Sequence, residues 1–237
     1  FYKASATYPA GARCTALFML GGIDAAKKGR ASATAIVEKV RRQLLDQKLG
    51  DFSGVEIHCI GAEETYGPHA RAGASATREV VVRIAVQHPN RKALKLFARE
   101  IAQAATGMSP GLTGQFGMGR PEPHLVPKLF STLVPKDGLA IEVAIGEERI
   151  PVTVRTRGGF EQPPEEPEHS SEALDLRDPV EVPLVRLALA RSGDKGDHAN
   201  IGVIARRAEY LPFLRAALTP AAVGQYFAHV LDPARGG

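Results

Sequence analysis

Two strand-like segments, 55–60 (VEIHCI) and 79–87 (EVVVRIAVQ), follow one another with no helical pattern between them. An apolar strand at 14–20 (CTALFML) and an amphipathic helix precede the pair; a second helix follows it, and then strands at 139–145 (LAIEVAI) and 150–155 (IPVTVR). The order β-α-β-β-α-β, with one extra hairpin strand, predicts an α+β fold: a ferredoxin-like split βαβ sandwich, an antiparallel sheet carrying two helices on one face. A doubly wound dinucleotide-binding sheet does not fit. Its strands are separated by helices, and the GGIDAAKKG that follows the first strand is not the GxGxxG turn such a sheet needs.

The helices are legible from their periodicity. After Asp24, a candidate N-cap, Ala33, Ile36, Val37, Val40 and Leu44 recur on one face while Lys39, Arg41 and Arg42 fall off it. Glu38 and Arg42 are spaced for an i,i+4 ion pair. From Asn90, Leu94, Phe97, Ala98, Ile101 and Ala105 line one side of a second helix.

Three regions are expected: an α+β domain over 1–155, a linker over 156–181, and a second small ferredoxin-like α/β unit over 182–237. The linker is rich in Pro, Glu and Ser and has little to bury. The second unit starts with a strand at 183–190, resumes with one at 200–206, and continues as helical sequence at 208–217 and 220–231. It has too few strands to close a sheet, and the chain opens on Phe1, so a fragment or processed product is expected.

Charge and cysteine usage narrow the function. The net charge of +4 hides an acidic segment, 161–178, where seven acids face one Arg; that segment sums to −6 and the remainder to +10. A basic body suits a small anionic ligand. Nucleic acid is disfavoured, because the chain has 6% aromatics, no Trp and no recognition motif. No apolar run reaches the length of a membrane span. Cys14 and Cys59 lie far apart in strand-like surroundings without a CxxC, which predicts two buried thiols and a cytoplasmic protein.

Three connections are too long or too rich in chemistry to be simple links. The first, 61–78, holds Glu63, Glu64, Tyr66, His69, Arg71 and Arg78, and reads equally as a site or as surface elaboration. The second, 107–124 (GMSPGLTGQFGMGRPEPH), has glycines that let backbone N–H groups approach an anion, so Gly117, Gly119 and Arg120 are candidate substrate-binding residues. A plain glycine-rich surface loop is the alternative, and no P-loop motif is present. The third, ARSGDKGDHANIGV (190–203), packs two acids, a Lys and a His into five consecutive residues. Asp194, Lys195, Asp197 and His198 are candidate catalytic residues, and Ser192 and Asn200 are candidate substrate ligands. Asp194, Asp197 and Asn200 are also oxygen donors of the kind hard cations use, but the EF-hand spacing is missing and no metal or cofactor is expected. Read structurally, the same residues make an Asx-type turn.

The run LARSGDKGDHANIGVIAR (189–206), with GLTGQFGMGRPEPHLVPKLFSTLVPK (111–136) and LFMLGGIDAAKKGRASATAIVEKVRR (17–42), resembles the acyclic terpene utilisation family, AtuA. The resemblance implies that residues before the linker correspond to the later part of a larger N-terminal domain, and that the SGDKG-type loop opens a small ferredoxin-like domain, here truncated. It also implies a place in the breakdown of acyclic terpenes and branched acyl-CoA intermediates. It carries over no catalytic residues. The expected function is therefore an enzyme of lyase or hydratase type: Arg120 and the glycines hold the anionic group of an acyl-CoA or carboxylate, Lys195 polarises a carbonyl, and Asp194, Asp197 or His198 moves the proton. The alternative is a non-catalytic assembly or ligand-binding subunit. A homo-oligomer is expected, because small sheets with free edges pair readily between chains.

Overall fold

The computed structural model describes residues 1–116, 119–158, 161–164, 180–195 and 198–231. The chain divides into two compact units, Phe1–Gly159 and Phe160–Gly237.

The first unit is built on strand β1 (Tyr2–Gly21), helix α1 (Ala25–Asp46), β2 (Gly54–Ile60), β3 (Glu79–His88), α2 (Arg91–Gly107), β4 (Leu112–Phe116) and β5 (His124–Val134). Its sheet runs β2-β3-β1-β4, with β5 beside the first half of β1, and every pairing is antiparallel. Period-two alternation sorts β1 and β3. Cys14, Ala16, Phe18 and Leu20 point inward with Val80, Val82, Ile84 and Val86. The inward face meets Ile36, Val37, Val40 and Leu44 of α1 and Leu94, Phe97 and Ile101 of α2 in one core. Each such side chain removed from water contributes about 1.5–3 kcal/mol, so this layer dominates the unit's stability.

The helix ends differ in how they are held. Asn90 Oδ1 accepts from Lys92 N at 2.9 Å, and Asn90 N donates to His88 Nδ1 at 2.8 Å, which fixes the turn from β3 into α2. Asp24 occupies the N-cap position of α1, but its backbone is left-handed (φ 56°) and its side chain makes no capping bond. Glu38 pairs with Arg41 at 2.7 Å, one residue short of the expected Arg42, whose Nε turns to the Glu38 carbonyl.

The sheet's fourth strand is not where periodicity placed it. The glycine-rich stretch contains β4, and Gly111 makes this possible: a Cβ there would lie 2.1 Å from Gly21 O, while Gly21 N donates to Gly111 O at 2.7 Å. Glycine density hid a strand because side-chain alternation is the signal for one, and glycines carry none. The strand expected at 139–145 shortens to β6 (Glu142–Ile145) and the one expected at 150–155 shifts toward the N-terminus as β7 (Glu148–Pro151), the two forming a sheet of their own.

The second unit contains α3 (Leu184–Leu187), β8 (Ala188–Lys195), β9 (His198–Ala205), α4 (Leu211–Ala217) and α5 (Pro220–Tyr226). The start of the expected strand at 183 is helical, because Pro183 stands at the N-cap of α3. β8 and β9 pair antiparallel as a two-stranded sheet. The fold class is mixed α+β with antiparallel sheets. No described helix is long and apolar enough to cross a membrane.

Candidate functional site

The charge-dense stretch is strand for most of its length. β8 runs to Lys195 and β9 starts at His198, so what reads as a loop contributes two strand ends. Asp197 and Gly117 lie outside the described residues.

Register then decides which groups share a face, since residues directly opposite point to the same side. Gly193 faces Asn200, Arg191 faces Gly202, Leu189 faces Ile204 and Lys195 stands opposite His198. Ser192 faces Ile201 and Asp194 faces Ala199, on the other side of the hairpin. Asn200 and His198 are thus grouped together, and Ser192 and Asp194 are set apart from them. Ser192, Asp194, His198 and Asn200 are all exposed.

The Asn200 side bears a shallow hollow. A cavity of about 490 Å³ is lined by Leu189, Ala190, Arg191, Ser192, Gly193, Asn200, Gly202 and Ile204. Its floor is flat because two of the lining residues are glycines. A Cβ on Gly193 would fall 2.2 Å from Asn200 Oδ1, so the Asn200 amide lies directly over that glycine. Arg191, two residues along from Gly193, brings a guanidinium fork suited to carboxylate or phosphate. Sequence reasoning passed over Arg191 and Gly202; the signal that locates them is the alternation Leu189, Arg191, Gly193 read against the hairpin register.

The connection at 61–78 is pinned down by its own charges. Glu64 Oε1 takes a bond from Arg30 at 2.5 Å, and its Oε2 accepts from Cys59 N at 2.8 Å. Burial works to raise the Glu64 pKa, but the Cys59 amide and Arg30 outweigh it and hold the carboxyl below its usual range. Glu63 accepts from Arg71 Nε at 2.6 Å and from Arg71 N at 2.8 Å, which likewise keeps it ionised. A second cavity, of about 480 Å³, is lined by Gly22, Thr77, Arg78 and Glu79. Its Arg and Glu balance in charge and favour no anion.

Gly119 and Arg120 are exposed between β4 and β5, in the first unit. Cys14 and Cys59 are free and buried, and burial above all pushes each thiol up to about 11, with the charges of Glu122 and Glu64 respectively adding to it. Among the described residues no three His, Cys, Asp or Glu side chains gather as a metal site.

Comparison with known families places these features. A family model for the acyclic terpene utilisation family protein AtuA matches residues 1–145. A second, for the AtuA ferredoxin-like domain, matches residues 182–235, the span that holds the hairpin. Neither the curated proteins nor the solved structures returned a match.

Proposed function

The chain belongs to the acyclic terpene utilisation family AtuA, and from that premise we propose that it binds an anionic acyl-CoA or carboxylate intermediate on the β8–β9 hairpin and acts on it as a lyase or hydratase. One observation carries the reading. The hollow formed by Arg191, Gly193, Asn200 and Gly202 joins a cation, an amide and a glycine floor, with the Leu189–Ile204 pair as its one apolar end. The guanidinium takes the carboxylate or phosphate, the Asn200 amide orients a carbonyl, and the flat floor admits an extended ligand. His198, opposite Lys195 at the hairpin tip, is the proton carrier, and Lys195 polarises the carbonyl; Asp197 remains a candidate partner for both. Ser192 also lines the hollow and remains a candidate ligand group, and Asp194, opposite Ala199 on the reverse face, remains a candidate acid–base group. Gly119 and Arg120 remain a candidate anion contact in the first unit, whose strand order and paired helices support a ferredoxin-like reading of that unit as well.

The test is calorimetric titration with short branched acyl-CoAs, followed by turnover. Arg191→Gln is expected to weaken binding about tenfold, the scale of one charge-assisted hydrogen bond. His198→Ala is expected to leave binding intact and lower turnover by roughly 10²–10⁴. Unchanged affinity in Arg191→Gln removes the hollow from the function.

The division of Asp194 from His198 by register favours a second reading, in which the protein is a ligand-binding or assembly subunit without turnover. Binding with no product formed by the wild-type protein distinguishes it.

A further inference from the structure

Among the apolar surfaces that the core of the first unit leaves uncovered, two lie on two-stranded segments. Tyr2–Pro9 of β1 pairs with β5 alone, so beyond the helices the sheet continues as a two-stranded ribbon. Ala12, buried in the core, stands opposite Leu125, and the alternation of β5 carries Leu129 and Leu133 to that same side. The β6–β7 hairpin is one-sided, whereas the reverse face of the ribbon also exposes Tyr8 and Phe130. Val143 faces Ile150, Ile145 shares their side, and Val152 N donates to Ile141 O at 2.8 Å, extending the ladder by one pair. Its other side holds the Arg149–Glu142 ion pair at 2.5 Å. These leucines, isoleucines and valines are 37% to 65% exposed. Two-stranded pieces of this kind are marginal in water unless an apolar face is packed.

We propose that the Ile/Val side of the β6–β7 hairpin docks on the Leu side of the β1–β5 ribbon of a second copy of this chain, and that the reciprocal contact closes a two-fold dimer. Two observations select this occupant. The first is size: the two surfaces together expose on the order of 800 Å² per chain, the area each partner contributes to a standard specific interface. The second is charge. On the ribbon's Leu side the register places one ionised residue, Lys3, opposite Leu133. On the hairpin's Ile/Val side it also places one, Glu148, opposite Ile145. The cation of one surface meets the anion of the other when they stack, whereas ribbon on ribbon or hairpin on hairpin would bring like charges together. Because each chain owns both surfaces, one two-fold axis satisfies both contacts and leaves no open end for further growth. This surface is independent of the hollow on β8–β9, and its failure would leave the ligand reading untouched.

The experiment uses the full chain. Sedimentation equilibrium is expected to give twice the chain mass. Lys3→Glu is expected to weaken association at least tenfold, and the double change Lys3→Glu with Glu148→Lys to restore it. Single variants Leu129→Cys and Val143→Cys, oxidised after mixing, are expected to yield a covalent dimer that neither gives when oxidised alone; the native thiols are buried and supply no background. Circular dichroism of each variant confirms that it is folded. A monomeric wild-type mass overturns the proposal. So does a cross-link within one chain carrying both cysteines in place of one between chains, or a Leu129→Cys chain that dimerises with itself.

Discussion

Gly29 sits on the buried face of α1, where a Cβ would lie 2.5 Å from Val82 Cγ2 and 3.6 Å from Cys59 Sγ. Valine has little rotameric freedom with which to yield. Gly29→Ala gains about 1 kcal/mol of helix propensity but overpacks the seam between α1 and β3 at a cost of about 1–3 kcal/mol. The expected outcome is a net loss of stability, read as a lower urea midpoint with unchanged slope. Gly193 sets the opposite case. There the obstacle is the end of a flexible side chain, the Asn200 amide 2.2 Å away. Gly193→Ala should leave the melting temperature within a degree or two while displacing that amide and weakening acyl-CoA binding. The same ligand affinity with and without the methyl group would show that Asn200 takes no part. The position of Asn200 over a glycine is invisible in a one-dimensional reading, because it depends on a partner seven residues away across a turn.

At the scale of elements, the connection between β2 and β3 shows how a charged loop becomes architecture. Glu64 joins Arg30 of α1 to the Cys59 amide of β2, and Glu63 closes the loop on Arg71. Glu100, buried on α2, meets Lys39 of α1 at 2.7 Å, and its pKa too ends lowered: burial raises it, but Lys39 and Gln43 outweigh the burial. All three carboxyls titrate below their ordinary value of 4.5 in the folded state. A depressed folded pKa means the unfolded chain binds protons first as pH falls. The stability these groups supply is complete above the unfolded value and drains away as pH drops from about 4.5 through the folded values. Denaturant midpoints measured from pH 6 downward should decline over that window, and Glu64→Gln should flatten part of the decline. A profile for Glu64→Gln that superimposes on wild type would mean the loop is not held by this carboxylate. Composition alone left this connection balanced between site and elaboration. Its Glu and Arg residues have the same identity in either role, and only their partners on α1 and β2 separate the two.

Across the molecule, buried apolar side chains concentrate in the first unit; in the second, the buried ones are Ala188 and Leu214 among the described residues. Local opening free energy follows buried apolar contact. Hydrogen exchange should therefore find the second half of β1, β3 and the inner faces of α1 and α2 protected at the level of global unfolding, and β8–β9 exchanging far sooner. Bound acyl-CoA should slow the hairpin selectively. Equal protection in both units would contradict a core concentrated in the first.

The sequence by itself determined the helices α1 and α2, the strands β2 and β3 and the core residues between them, because 3.6- and two-residue periodicities are written directly in apolar side chains. It also carried the family signature, since SGDKGDHAN is a local string. Tertiary structure alone decided the rest. It made β4 from glycines that show no alternation, and it turned 191–195 and 198–199 from loop into the ends of paired strands. It then divided that cluster between two faces, Asn200 and His198 on one and Ser192 and Asp194 on the other. The physical reason is common to all three. Which backbone amide finds which carbonyl across a sheet is a long-range choice, and that choice fixes where every second side chain points.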